Sequence, residues 1–282
     1  MARFLYALAV PNAGNVKRAA RPGDHHSGAG AIERGWLVGI GVGLVCVAIA
    51  AMAYARSQRR RIQSATVEIE GLSIDSLNAA NLRRGMNRSL TIQTAEQFAR
   101  IEGKDLEMTW RYAGYCKAER ETALPFSIDS EEGVPFSQLN CYAYDLKQDP
   151  ERKSRIEPVL VGPESISKKI TVPFLEPLKA DQPFDIELHC RLTSSCKLGL
   201  HYYTSTLSFD QETVDTSTVQ LTFVGRKPEW VRVYECDDSG RPQLVKTLRP
   251  EREDENEVMY RDVAREVGGQ SARIYLFKRA EK

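Results

Sequence analysis

The chain has 282 residues, with 39 Lys/Arg against 38 Asp/Glu and a formal net charge of +1. That balance hides a split: residues 1–61 carry nine basic and two acidic side chains, which leaves 30 and 36 for residues 62–282. A mildly acidic body without a basic cluster excludes nucleic acid as a partner, because duplex binding rests on neutralising phosphates.

Residues 1–34 are small, polar and unpatterned around GDHHSGAGA, and are expected to be disordered. His25 and His26 in that tail make no metal site. The opening apolar run, Phe4 to Val10, has the character of a minimal export-signal core.

The stretch 35–55 is different. From Trp36 to Tyr54 there are 19 residues without a charge, flanked by aromatic rings. A helix of that length spans about 28 Å, close to the ~30 Å hydrocarbon core of a bilayer, so a single transmembrane helix is expected. Gly35, Gly39 and Gly43 recur every four residues. Small residues at that spacing let two helix backbones approach closely, which points to homodimer formation through the membrane helix. Residues 56–64 form a basic juxtamembrane segment. Arg56, Arg59, Arg60 and Arg61 follow the span, against Arg21 and Arg34 within fifteen residues before it. This bias places the C-terminal domain in the cytoplasm and brings the arginines to anionic lipid headgroups. The alternative is an extracytoplasmic domain.

Residues 65–282 read as β-rich. TVEIEGLSI (66–74), RSLTIQ (88–93) and LEMTWRYAGYC (106–116) are strand-like. TAEQFARIEG (94–103) between them has a helical signature, with Thr94 as N-cap, Gln97 three residues on and Gly103 as stop. SQLNCYAYDL (137–146) is the next strand, and the charged stretch 147–155 marks an internal division. RIEPVLVG, SKKITVPF, FDIELHCRL, KLGLHYYTSTLSF and TSTVQLTFVG follow as separate strands. In FDIELHCRL the apolar set Phe184, Ile186, Leu188, Cys190 and Leu192 alternates with Asp185, Glu187, His189 and Arg191, the pattern of a sheet with one buried face. Residues 229–248 form a hairpin about 237–240, and 257–279 a second one about Gly268-Gly269, with PEREDENE (250–257) as a loop between them. The expected fold is an antiparallel β-sandwich or partly open barrel with one short helix.

Among chemical clusters, His189, Cys190, Cys196 and His201 come nearest to a zinc set. Neighbouring strand residues point to opposite faces, however, so His189 and Cys190 cannot converge on one ion, and no metal or cofactor is expected. Five cysteines outside the span form a poor disulfide framework. Pairing of Cys116 with Cys141, or Cys190 with Cys196, is the form a bridge would take in an exported scaffold or assembly domain. An enzymatic alternative is a hydrolase using Cys190 or Cys196 with His201. The preferred reading is non-enzymatic: a membrane-anchored sensor or adaptor that binds a protein or small molecule. Its binding candidates are Tyr203, Trp230 and Tyr234, residue types that dominate recognition hot spots.

Overall fold

A computed structural model describes residues 66–69, 72–75, 86–129, 134–162, 167–193, 196, 199–236 and 241–279. The expected membrane segment with Gly35, Gly39 and Gly43, and the Arg56, Arg59, Arg60 and Arg61 flank, lie outside the described residues. Among those described, no helix is long and apolar enough to cross a membrane.

Residues 63–282 form one compact unit, and its described residues are mostly β-strand. The strands are β1 (Thr66–Ile69), β2 (Leu72–Asp75), β3 (Leu90–Glu102), β4 (Asp105–Cys116), β5 (Glu121–Asp129), β6 (Tyr142–Asp145) and β7 (Val159–Leu160). They continue with β8 (Ser167–Leu178), β9 (Pro183–Leu192), β10 (Leu200–Val224), β11 (Pro228–Cys236), β12 (Pro242–Leu248), β13 (Pro250–Glu253) and β14 (Glu257–Arg279). One open sheet runs β12-β11-β14-β10-β3-β4-β9-β6, with β13 also paired to β14. A smaller sheet, β5-β8-β7, packs over its inner face: Phe126 of β5 stacks on Tyr112 of β4 at 5.2 Å, and Phe174 of β8 meets Phe184 of β9 at 5.7 Å. The ladders between strands are antiparallel except one. β3 runs parallel to β10, from Thr94 opposite Thr216 to Glu102 opposite Val224.

The expected helix at 94–103 is instead part of β3. Ala95, Gln97, Ala99 and Ile101 are all buried, a period of two. β3 lies between β4 and β10, and backbone pairing on both sides overrides the weak helical preference of Ala, Glu and Gln. Gln97, read from sequence as part of a helix cap, turns inward, where its amide is satisfied by the Tyr112 and Tyr203 hydroxyls at 3.4 and 2.9 Å. Gly103 serves the β3–β4 turn with φ +59°.

The expected hairpin about Gly268-Gly269 is absent. β14 continues without a break through that point and pairs with β10 along almost its whole length. KLGLHYYTSTLSF and TSTVQLTFVG are likewise one strand, β10. Its four residues 209–212 bulge opposite Gly269, between the pairs Ser208–Gln270 and Thr213–Gly268. A Cβ at Gly269 would lie 2.3 Å from the Gln211 carbonyl oxygen, so the glycine serves a close approach and not a turn. Gln211 plugs the bulge, accepting from Ile92 N and donating to Ile92 O, both at 2.7 Å. The ribbon bends sharply here. Asp262 and Arg273, on the two halves of β14, would be ~36 Å apart on a straight strand at about 3.3 Å per residue; they meet at 3.5 Å.

Other boundaries also shift. PEREDENE contains the exposed strand β13, and the strand expected at 137–146 shrinks to β6 behind a 3₁₀ turn at Phe136–Gln138. β5, which the sequence reading passed over, buries Leu124, Phe126 and Ile128.

Candidate functional site

The three aromatic candidates divide by burial. Tyr203 is 6 % exposed and donates to Gln97 Oε1 in the core, so it belongs to no outer surface. Tyr234 is 8 % exposed and packs in a small cluster with Ile69, Ile274 and Leu276 on the outer side of β11 and β14. Trp230 packs against the rim of that cluster, with the Arg232 guanidinium 4.2 Å from its ring centroid. Ile69 comes from the β1–β2 hairpin. Trp230 and Tyr234 therefore receive a segment of their own chain.

The Cys/His residues that suggested zinc or hydrolysis also separate. His189 lies on the outer face of β9 while Cys190, Cys196 and His201 are buried. Among the described residues no group of three His, Cys, Asp or Glu side chains is placed to hold a metal ion.

A different cluster forms on the outer face of β4, β9 and β6. Register places Thr109 of β4, His189 of β9 and Tyr142 of β6 side by side. The Tyr142 and His189 rings stack at 4.8 Å with an 11° interplanar angle, and Tyr144 meets both edge-on at 5.7 and 6.1 Å. Arg155, returning from the 147–155 turn, lies 4.5 Å from the Tyr142 ring centroid. Such cation–π contacts contribute about 0.5–1 kcal/mol at exposed sites.

His189 has both ring nitrogens engaged. Nε2 lies 2.8 Å from Glu187 Oε1, and Nδ1 lies 3.0 Å from the Thr109 hydroxyl. Since an ionised carboxylate only accepts, Nε2 carries a proton toward Glu187, and Nδ1 pairs with the Thr109 hydroxyl. Arg152 grips the same Glu187 through two hydrogen bonds of 3.1 Å. The His189 hydrogen bond, and after it the Arg152 pair, hold Glu187 down from its ordinary 4.5 to about 2 against the opposing pull of burial. One strand pair along, Arg111 clamps Asp185 with bonds of 2.9 and 2.7 Å.

Thr109, His189 and Glu187 are thus in the order hydroxyl, imidazole, carboxylate, the series used to activate a nucleophile. The surroundings do not suit that chemistry. Thr109 sits on a strand paired on both sides, opposite Phe98 and His189, so the ladders leave no pair of backbone N–H groups beside its hydroxyl to hold an oxyanion. The arrangement fixes rotamers on a partly exposed face, which suits recognition. Sequence reasoning missed Tyr142, Tyr144, Arg152, Arg155 and Glu187. The one available signal was the alternation in CYAYD, which puts both tyrosines on the face opposite Cys141, Ala143 and Asp145.

No family model and no curated protein matches the chain. Among solved structures, it resembles an M1 zinc metallopeptidase from Deinococcus radiodurans at 13 % identity and TM-score 0.39, over 66 % of this chain and 42 % of that one. It also resembles a protein described provisionally as nutrient-binding from Legionella pneumophila, at 10 % identity and TM-score 0.42, over 68 % of each chain. The chain spans less than half the length of the metallopeptidase. Likeness this distant says nothing about activity.

Proposed function

We propose that the chain is a single-pass, membrane-anchored binding module whose recognition surface is the outer face of β6 and β9. The uncharged segment 36–54 with its arginine flank supports the anchor, and the inside-positive bias supports a cytoplasmic domain. The observation that carries the binding reading is the Arg155–Tyr142–His189 stack. Two tyrosines, a histidine and two arginines are held in fixed rotamers yet remain partly exposed. Tyr and Arg are the residues that dominate hot spots, and fixed rotamers reduce the entropy cost of association. A protein surface with an acidic or aromatic anchor fits this face best, since Arg152 and Arg155 offer donors at its rim.

The test is a quantitative pull-down of the full chain from solubilised membranes. Partners retained by the native protein and reduced at least tenfold by the pair Tyr142→Ala and Arg155→Ala are expected, since two hot-spot residues contribute about 2 kcal/mol or more together. Retention unchanged by that pair, but lost on Trp230→Ala, would move the site to β11.

A further inference from the structure

We infer that Cys141 and Cys190 form a redox-active thiol pair that closes to a single intramolecular disulfide, fastening edge strand β6 to β9. This does not rest on the binding reading. Register brings the two alongside one another. Tyr142 faces His189 at the end of the antiparallel β6–β9 ladder. One residue further the same register sets Cys141 beside Cys190, before the ladder slips at Asn140, where Arg191 N donates to Leu139 O. The kind of pair follows from Ala143. Its N–H and C=O both bond Ile156, each at 2.9 Å, so its pairing with Leu188 across β9 is of the non-hydrogen-bonded kind. Two residues back, Cys141 and Cys190 occupy the same kind of pair. In such pairs Cα atoms lie about 4.5 Å apart with side chains turned toward each other, inside the ~4.4–6.8 Å range a disulfide requires. The Cys141 thiol, which donates to Leu139 O at 3.8 Å, lies close enough to add to burial in raising the Cys190 thiol.

All five described cysteines are free, and the pairings suggested by sequence are held further apart. Cys190 lies opposite Met108 on β4, eight residues from Cys116, a separation of ~26 Å at about 3.3 Å per residue. Cys196 bonds Lys104 O through its backbone N–H, four residues from Met108 along the chain and ~13 Å away on the same scale.

The oxidant is a low-molecular-weight disulfide. The Cys141 thiolate attacks one of its sulfurs, the S–S bond of the oxidant breaks, and one thiol leaves. The Cys190 thiolate then attacks the Cys141 sulfur of the mixed disulfide and expels the second thiol. Two protein thiols give up two protons and two electrons, and the oxidant is reduced to two thiols. Both cysteines are buried, at 7 and 4 %, and burial pushes the Cys190 thiol well above its ordinary range. Exchange therefore begins at Cys141, when the four-residue edge strand opens.

The full-length protein is equilibrated with excess oxidised glutathione, blocked with N-ethylmaleimide, digested without reduction and mapped by mass spectrometry. A linked peptide pair joining Cys141 to Cys190 is expected in about tenfold excess over any other linkage, and it persists in C236S protein. Maleimide or glutathione on both sites after equilibration would overturn the proposal. So would linkage of either to Cys116, Cys196 or Cys236, or to Cys46 of the uncharged segment 36–54.

Discussion

Two aromatic patches lie on the outer side of the large sheet, built from similar parts and covered to different degrees. On β11 and β14, Tyr234, Ile274 and Leu276 sit with Trp230 under an arginine 4.2 Å away, and Ile69 of the β1–β2 hairpin covers them. On β6 and β9, Tyr142, Tyr144 and His189 sit beside an arginine 4.5 Å away, and all three keep part of their surface exposed. Aromatic content does not separate packing from recognition. The neighbours do: Ile274 and Leu276 make the first patch dry enough to hold a hairpin, whereas Glu187, Thr109 and Arg152 keep the second one wet.

The comparison breaks first at Tyr234. Tyr234→Ala is expected to cost about 3 kcal/mol, the usual scale for deleting a packed aromatic ring, measured by urea denaturation. A loss under about 1 kcal/mol would mean that the patch is not a packing site. Ile69→Ala comes next, at about 2 kcal/mol, and hydrogen exchange should show the β1–β2 amides losing protection while β9 keeps its own.

The third effect is pH-dependent. Glu187 is held at about 2 in the fold against 4.5 ordinarily, so its stabilisation is complete above 4.5 and fades as pH falls toward 2. Asp145, buried at the end of β6, has the opposite sign. Its carboxyl is raised mainly by burial, so it weighs against the fold once pH climbs above its ordinary value. Glu187→Gln should flatten the loss of stability between pH 4.5 and 2 in acid titrations followed by circular dichroism, and a slope unchanged there would show that the His189 and Arg152 bonds contribute nothing. The smallest expected effect is Tyr142→Ala, within about 1 kcal/mol because the ring is half-exposed and its contacts are individually weak.

The period-two strands were legible because burial is one-sided. FDIELHCRL buries its five apolar positions as its alternation required. β3 was misread because Ala, Glu and Gln carry helical preference, and what makes the segment a strand, β4 and β10 on either side, is distant in sequence. Gly268-Gly269 was misread because a close approach by Gln211 and a reverse turn favour the same residue. The β6–β9 site was hidden for a similar reason. Its parts come from 109, 142–144, 152–155 and 187–189, and only register joins them. Burial had to be known before Tyr203 could be set aside.

The most direct test places a photo-crosslinking amino acid at position 144, and separately at position 202, in the full chain within its native cells. Tyr202 is 39 % exposed on the outer side of β10, near the patch that β1 covers. A discrete protein adduct from position 144 but not from 202, abolished by Arg155→Ala, is the expected result. Adducts from 202 alone, or none that depend on Arg155, would contradict recognition at β6 and β9.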